Sequence, residues 1–179
     1  LCGVCGAVQP PLPEASLFAV LGLPPDFALD RATLESAYLA AQRQLHPDRF
    51  KDRAAREHLY AEQHAMQVNE AYTALRDPVR RGRHLLDILG HPTAQGETVQ
   101  DPEILMETLQ QREALADADS AAAVQDLAAA NQAQQQQCEA RIAAAFAAGD
   151  LAVAAREMLR LRYICRFADA LRDRQRQLL

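Results

Sequence analysis

His46-Pro47-Asp48-Arg49-Phe50 separates two stretches with helical periodicity. Residues 30–45 carry apolar side chains at Leu34, Ala37, Tyr38, Ala41 and Leu45, the i, i+3, i+4, i+7 stripe of an amphipathic helix. Residues 53–75 repeat the habit with Ala55, Leu59, Met66, Ala71, Tyr72 and Leu75. Pro47 cannot continue a helix, because it lacks the N–H and its ring clashes with the carbonyl four residues back. It also drives His46 out of the α region. The spacing predicts two antiparallel helices that meet at a short exposed corner bearing an imidazole, a rigid ring and a carboxylate.

Composition sets the class. The 179 residues are rich in Ala, Leu, Gln and Arg, contain no Trp and few β-branched residues, and predict an all-α chain. The length allows one or two small domains. A formal net charge of −5 argues against a general nucleic-acid binder, and no apolar run approaches a membrane span. No signal peptide is visible. Leu1 is not an initiator methionine, so residues upstream of it are expected.

Cys2-Gly3-Val4-Cys5-Gly6 has the shape of half a zinc knuckle. Two thiolates two residues apart grip one side of a tetrahedral Zn²⁺, and a closed site needs four ligands. The others would come from upstream cysteines or a second chain; the alternative is a tail with two free thiols. Cys138 and Cys165 stand alone in helical patterns and read as buried, reduced thiols. Pro10-Pro11-Leu12-Pro13 reads as a stiff linker, and Leu17–Leu23 as a short helix stopped by Gly22 and Pro24, with Phe18 and Leu21 covering the helix seam.

Charge around the corner is uneven: Arg43, Arg49, Lys51, Arg53 and Arg56 stand against Asp48 and Asp52. Such a run is either a solvated face or a basic patch that steers an acidic partner. A His46–Asp48 catalytic dyad is rejected, since no nucleophile is near and the proline points the side chains apart. No enzyme is expected.

Beyond residue 76, Asp77-Pro78 and Asp101-Pro102 are N-cap and N1 pairs, and Gly149-Asp150 is a stop followed by a cap. Val79, Leu85, Leu86, Ile88 and Leu89 are expected to pack inward, and Gly90 to end that helix. In residues 104–115, Ile104, Leu105, Met106, Leu109 and Leu115 spread over roughly 200°, about twice the arc a core-facing stripe needs. The helix is either gripped by two neighbours or left with surplus apolar surface. Residues 119–148 form one long helix with a near-heptad seam at Val124, Leu127, Asn131, Gln134, Cys138, Ile142 and Phe146. The last helix, to about residue 177, is apolar nearly all round: Val153, Met158, Leu159, Leu161, Ile164, Cys165, Phe167 and Leu171. Short connections imply an antiparallel three-helix bundle.

Two helices joined by His-Pro-Asp resemble a J domain, the module with which co-chaperones activate a DnaK-class ATPase. Val68-Asn69-Glu70-Ala71-Tyr72, then Leu75, Asp77-Pro78 and Arg80, resemble the end of its third helix, and Phe18–Leu23 its opening. Residues 80–90, 104–115 and Leu161-Arg162-Tyr163-Ile164 are similar to the narrower HscB family of iron–sulphur co-chaperones, with His84 where an aromatic is expected.

That resemblance implies an L-shaped all-α protein. Residues 1–15 would be tail and linker, 16–90 a J domain (a helical hairpin with two short flanking helices), 91–100 a linker, and 101–179 a three-helix scaffold-binding domain. It implies that His46, Pro47, Asp48, Arg43, Arg49 and Lys51 contact an HscA-like chaperone. It further implies that Leu105, Met106, Leu109, Glu113, Asp117, Arg162 and Tyr163 meet an IscU-like scaffold, Gln110 replacing an expected acid. No cofactor is required, and zinc at Cys2 and Cys5 and homodimerisation stay open. The expected place is a bacterial cytoplasm, or the mitochondrial matrix of a eukaryote. The alternatives are a general J-domain co-chaperone with another client, or a small zinc-binding regulatory protein.

Overall fold

The computed structural model describes residues 7–12, 15–45, 47–50, 53–92 and 100–178, with Pro47 and Asp48 described for their backbone alone. The described residues are all helix and connection, and divide into two compact units, Leu1–Ile88 and Leu89–Leu179. No helix among them is long and apolar enough to cross a membrane.

The first unit contains α1 (Leu17–Val20), α2 (Arg31–Leu45), a 3-10 turn (Pro47–Phe50), α3 (Ala55–Arg76) and α4 (Pro78–Ile88). Its helix starts follow the caps. The Asp30 carboxylate accepts from the Thr33 amide at 2.9 Å, and Asp77 accepts from Val79 at 2.8 Å and Arg80 at 3.1 Å. Each such cap is worth about 1 kcal/mol. Gly22 has φ +66°, which lets the Leu23 amide return to the Phe18 carbonyl at 2.9 Å and close α1.

The Val68–Tyr72 run is what zips α2 to α3. Val68 and Ala71 are buried, Tyr72 stacks on Tyr38 with ring centroids 4.2 Å apart, and the Tyr38 hydroxyl donates to the Asn69 side-chain oxygen at 2.9 Å. Phe18 is fully buried, and Leu21 nearly so.

Some expected core positions are elsewhere. Leu59 and Met66 are exposed, because the inward face of α3 runs through Ala61, Val68, Ala71, Ala74 and Leu75. On α4, Leu85 and Leu86 are buried as expected, Val79 is only half-buried, and Ile88 and Leu89 are exposed. Arg81 and Gly82 lie one turn before Leu85 and Leu86 and complete that face instead. The Arg81 guanidinium donates to the Leu75 carbonyl at 2.8 Å and lies 5.0 Å from the Phe27 ring centroid, so its charge is paired with a carbonyl and a π face.

The segment before α1 is more than a spacer. Val8 is buried in a cluster with Phe50 and Ala61, against which Tyr60 packs. Its amide donates to Glu57 Oε2 at 3.2 Å, and His64 Nε2 donates to the Gln9 carbonyl at 2.9 Å.

The second unit contains α5 (Pro102–Asp117), α6 (Ala121–Ala147) and α7 (Leu151–Gln177). Asp101, Ser120 and Asp150 cap the three helices, and Gly149, at φ +72°, turns the chain between α6 and α7. The α6 seam is buried at Val124, Asn131, Cys138, Ile142 and Ala145, with Leu127, Gln134 and Phe146 half-buried. The inward face of α7 is not purely apolar. Val153 is exposed, whereas Glu157 and Arg160 are buried among Ala154, Met158, Leu161, Ile164, Phe167 and Leu171.

Candidate partner-binding surfaces

The corner is held from both sides. At its entry, the Arg49 guanidinium donates to the Arg43 carbonyl at 2.9 Å, tying the 3-10 turn to the end of α2. At its exit, Phe50 is buried under Val8 and Ala61, and the Arg53 amide returns to the Phe50 carbonyl at 3.0 Å. Arg43 and Arg49 are both exposed, as are Arg53 and Arg56, so four of the five expected cations face solvent. His46 and Lys51 lie outside the described residues, as do Cys2 and Cys5, and the side chains of Pro47 and Asp48 are likewise undescribed. Among the described residues no group of three His, Cys, Asp or Glu side chains is placed to hold a metal ion. Of the described cysteines, Cys138 is buried and Cys165 half-buried, and both are reduced.

His84 shows what the departure from the aromatic achieves. Its ring stacks on Phe18 at 5.9 Å, and its Nε2 accepts from the Leu17 amide at 2.9 Å, satisfying one of the orphan donors at the start of α1. Burial lowers its pKa from the ordinary histidine value, against a smaller opposing pull from Asp87. An aromatic supplies the stacking but not the acceptor.

On α5 the apolar arc divides. Ile104 is 1 % exposed and is that helix's buried residue, while Leu105, Met106 and Leu109 are exposed at 47 %, 57 % and 52 %. Glu113 and Asp117 are exposed too, and Gln110 with them. The surplus apolar surface therefore faces away from the bundle rather than into a second neighbour. Phe167, one turn after Tyr163, lines a groove of about 280 Å³ with Glu107, Gln110, Gln111 and Ala114 of α5. Tyr163 is half-buried, and the Arg162 and Arg166 guanidinium carbons lie 5.5 Å and 5.6 Å from its ring centroid.

Beside the packing of Ile104 and Leu115, ion pairs tie α5 to α7. Arg156 pairs with Asp101 at 2.6 Å and Glu103 at 2.7 Å. Arg160 pairs with Glu103 at 2.9 Å and Glu107 at 3.2 Å. Behind them, Glu157 accepts from Arg160 at 2.8 Å and Arg141 at 2.9 Å, and the Cys138 thiol donates to the Glu157 backbone carbonyl at 3.4 Å. Burial first, and then the Glu157 charge, push that thiol up to about 12. These charged residues have the look of solvated surface in sequence. The signal that finds Glu157 is its place at i−4 and i−7 from Leu161 and Ile164, on the inward face.

A capped helical hairpin with a His-Pro-Asp corner, followed by a separate three-helix bundle with an outward apolar face, defines a J-domain protein with an appended helical domain. Residues 16–84 match the family model described as a DnaJ domain, and residues 100–172 the one described as the HSCB C-terminal oligomerisation domain. The mouse iron–sulfur cluster co-chaperone protein HscB is 33 % identical over 90 % of this chain and 70 % of its own length. A Vibrio cholerae co-chaperone protein HscB homolog is 35 % identical over 90 % of this chain and 98 % of its own. The crystal structure of the human co-chaperone HscB matches with a TM-score of 0.88 at 29 % identity, over 96 % of this chain and 88 % of that one. The chain belongs to the HscB family of co-chaperones.

Proposed function

We propose that this co-chaperone stimulates the ATPase of an HscA-like, DnaK-class chaperone and delivers an IscU-like scaffold to it during iron–sulphur cluster assembly. The observation that carries the reading is the outward apolar face of Leu105, Met106 and Leu109, on a helix that turns Ile104 and Leu115 inward, in a chain that also bears a His-Pro-Asp corner.

The corner residues act by differential binding. Asp48 offers an anion to an arginine of the ATPase, Pro47 limits the entropy lost on docking, and His46 donates or accepts beside them. Arg43, Arg49 and Lys51 steer the acidic partner surface. Stabilising the hydrolysis-competent arrangement of the chaperone is sufficient, so no bond chemistry is required of this chain. The scaffold meets Leu105, Met106 and Leu109, with Glu113, Asp117, Arg162 and Tyr163 around them. Membership of a co-chaperone family with bacterial and mammalian relatives fits a place in the bacterial cytoplasm or the mitochondrial matrix. Zinc at Cys2 and Cys5 is a separate proposal, checked by metal analysis of a longer chain.

The test is a titration of chaperone ATPase rate with this protein, with and without scaffold. His46→Gln is expected to abolish stimulation and to leave scaffold binding intact. Stimulation retained in that variant contradicts the docking role. Stimulation by the wild type without scaffold binding points instead to a general J-domain co-chaperone with another client.

A further inference from the structure

We infer that residues 7–9 are a latch that positions the chaperone-facing corner, with Val8 as its central positioning residue. The inference rests on the reading that this corner docks an ATPase, and goes beyond it by giving the corner a support outside the J-domain module. The DnaJ match begins at residue 16, so the latch lies upstream of it.

Three contacts of different kinds make the latch. Val8 is 3 % exposed and shares a cluster with Phe50, itself 5 % exposed, and with Ala61. The Val8 amide donates to Glu57 Oε2 at 3.2 Å. The Gln9 carbonyl accepts from His64 Nε2 at 2.9 Å. A passive tail has no reason to bury an apolar side chain and satisfy two backbone groups on one helix. The position of Phe50 gives the arrangement its purpose. Phe50 ends the 3-10 turn that carries Pro47, Asp48 and Arg49, and a four-residue turn has little stability of its own. Its far end is tied by Arg49 to the Arg43 carbonyl, and its near end depends on the seat of Phe50. Val8 is part of that seat. With the seat intact, the corner is held before the partner arrives; without it, docking must order the turn.

The consequence separates affinity from turnover. A corner that spends most of its time out of register binds with its intrinsic constant divided by the competent fraction, while the docked complex is unchanged. Val8→Asp in the full chain puts a charge against Phe50. The concentration for half-maximal ATPase stimulation is then expected to rise about tenfold, with the plateau rate unchanged, if the competent fraction falls to about a tenth. His64→Ala, which releases the arm from its other side, should act in the same direction. Val8→Ile should restore the wild-type value, and amide exchange at Asp48, Arg49 and Phe50 should quicken in Val8→Asp and in His64→Ala only.

Wild-type half-maximal concentration and wild-type exchange in both disruptive variants overturn the latch. So does a lowered plateau at an unchanged half-maximal concentration, because it places Val8 in the docked complex instead. The docking reading is controlled separately by Asp48→Asn: if that variant stimulates as well as wild type, the proposed function fails. In that case exchange at Phe50 still decides the latch, quickened in Val8→Asp if it exists and unaltered if it does not.

Discussion

Arg160 and Glu157, one turn apart on α7, meet at 2.8 Å in the interior of the second unit, and each also holds a residue of another helix. Arg160 takes Glu103 and Glu107 of α5, and Glu157 takes Arg141 of α6. Two side chains thus tie three helices together. Removing Arg160 strips the buried Glu157 of one of its two guanidinium partners, which costs more than losing a surface pair. Arg160→Met is therefore expected to destabilise the domain by about 3 kcal/mol, read as a lower urea midpoint at constant m. A loss below about 0.5 kcal/mol indicates a pair no stronger than exposed ones.

The proposed partner face and the core of α5 should separate cleanly by mutation. Ile104→Ala removes a buried side chain and should cost about 3 kcal/mol. Met106→Ala and Leu109→Ala remove exposed side chains, and should leave the urea midpoint close to wild type while weakening scaffold affinity about tenfold each. Calorimetric titration with purified scaffold, alongside urea melts, reads both quantities. A large melting change in Met106→Ala assigns it to the fold instead.

His84 makes the J domain sensitive to mild acid. Its Nε2 must be unprotonated to accept from Leu17, and burial lowers its pKa in the folded state. A histidine lowered on folding contributes stability that is complete above its unfolded pKa of about 6.5 and is lost as pH falls below that value toward the folded one. Stability of the first unit should decline from about pH 6.5 downward, and His84→Phe should flatten that portion of the curve while keeping the stack on Phe18. An unaltered slope in the variant removes His84 as the cause.

Asp101 gives the second unit a more acidic sensitivity. The hydrogen bond from Arg156, and then the amides of Glu103 and Ile104, hold its carboxyl below the usual carboxylate value. A depressed carboxylate stabilises above its unfolded pKa of about 4, and that contribution disappears as pH drops through the folded value. Asp101→Asn keeps a capping oxygen but not the charge. Its stability should differ from wild type at pH 6 and converge with it near pH 2; a constant difference refutes the charge account.

Cys138 should be chemically silent in the native protein. With its thiol pushed up to about 12 and buried, essentially none is thiolate at pH 8. Site-resolved mass spectrometry after alkylation should find it modified only in denaturant. Labelling in the folded protein as fast as in the unfolded chain contradicts the buried geometry.

Much of the fold was legible because it rests on local chemistry. Pro47, the caps at Asp30, Asp77, Asp101 and Asp150, and the glycine at Gly149 mark helix ends by themselves, and the structure has helices between them. What escaped depends on partners distant in sequence. Leu59 and Met66 share a helical spacing with each other, yet they lie on the side of α3 away from Ala71 and Leu75, which the hairpin buries. Glu157, Arg160 and Arg81 have the composition of surface and are buried only because carboxylates, a carbonyl and an aromatic face await them. Val8 follows a glycine-rich start and precedes a proline run, so nothing local marks it as packed. The width of the α5 apolar arc was visible, but its direction was not: phase alone left a second neighbour and solvent equally open, and the exposure of Leu105, Met106 and Leu109 decided it.

On the proposed function, the residues of α5 that choose a client and those that keep the domain folded are different atoms on the same rod: Leu105, Met106 and Leu109 face out, while Ile104 and Leu115 pack inward. Selection, or an engineer, can rewrite Leu105, Met106, Leu109 and Glu113 one at a time and ask only whether a new cargo is caught. Recognition in this architecture can drift quickly while the chassis stands still.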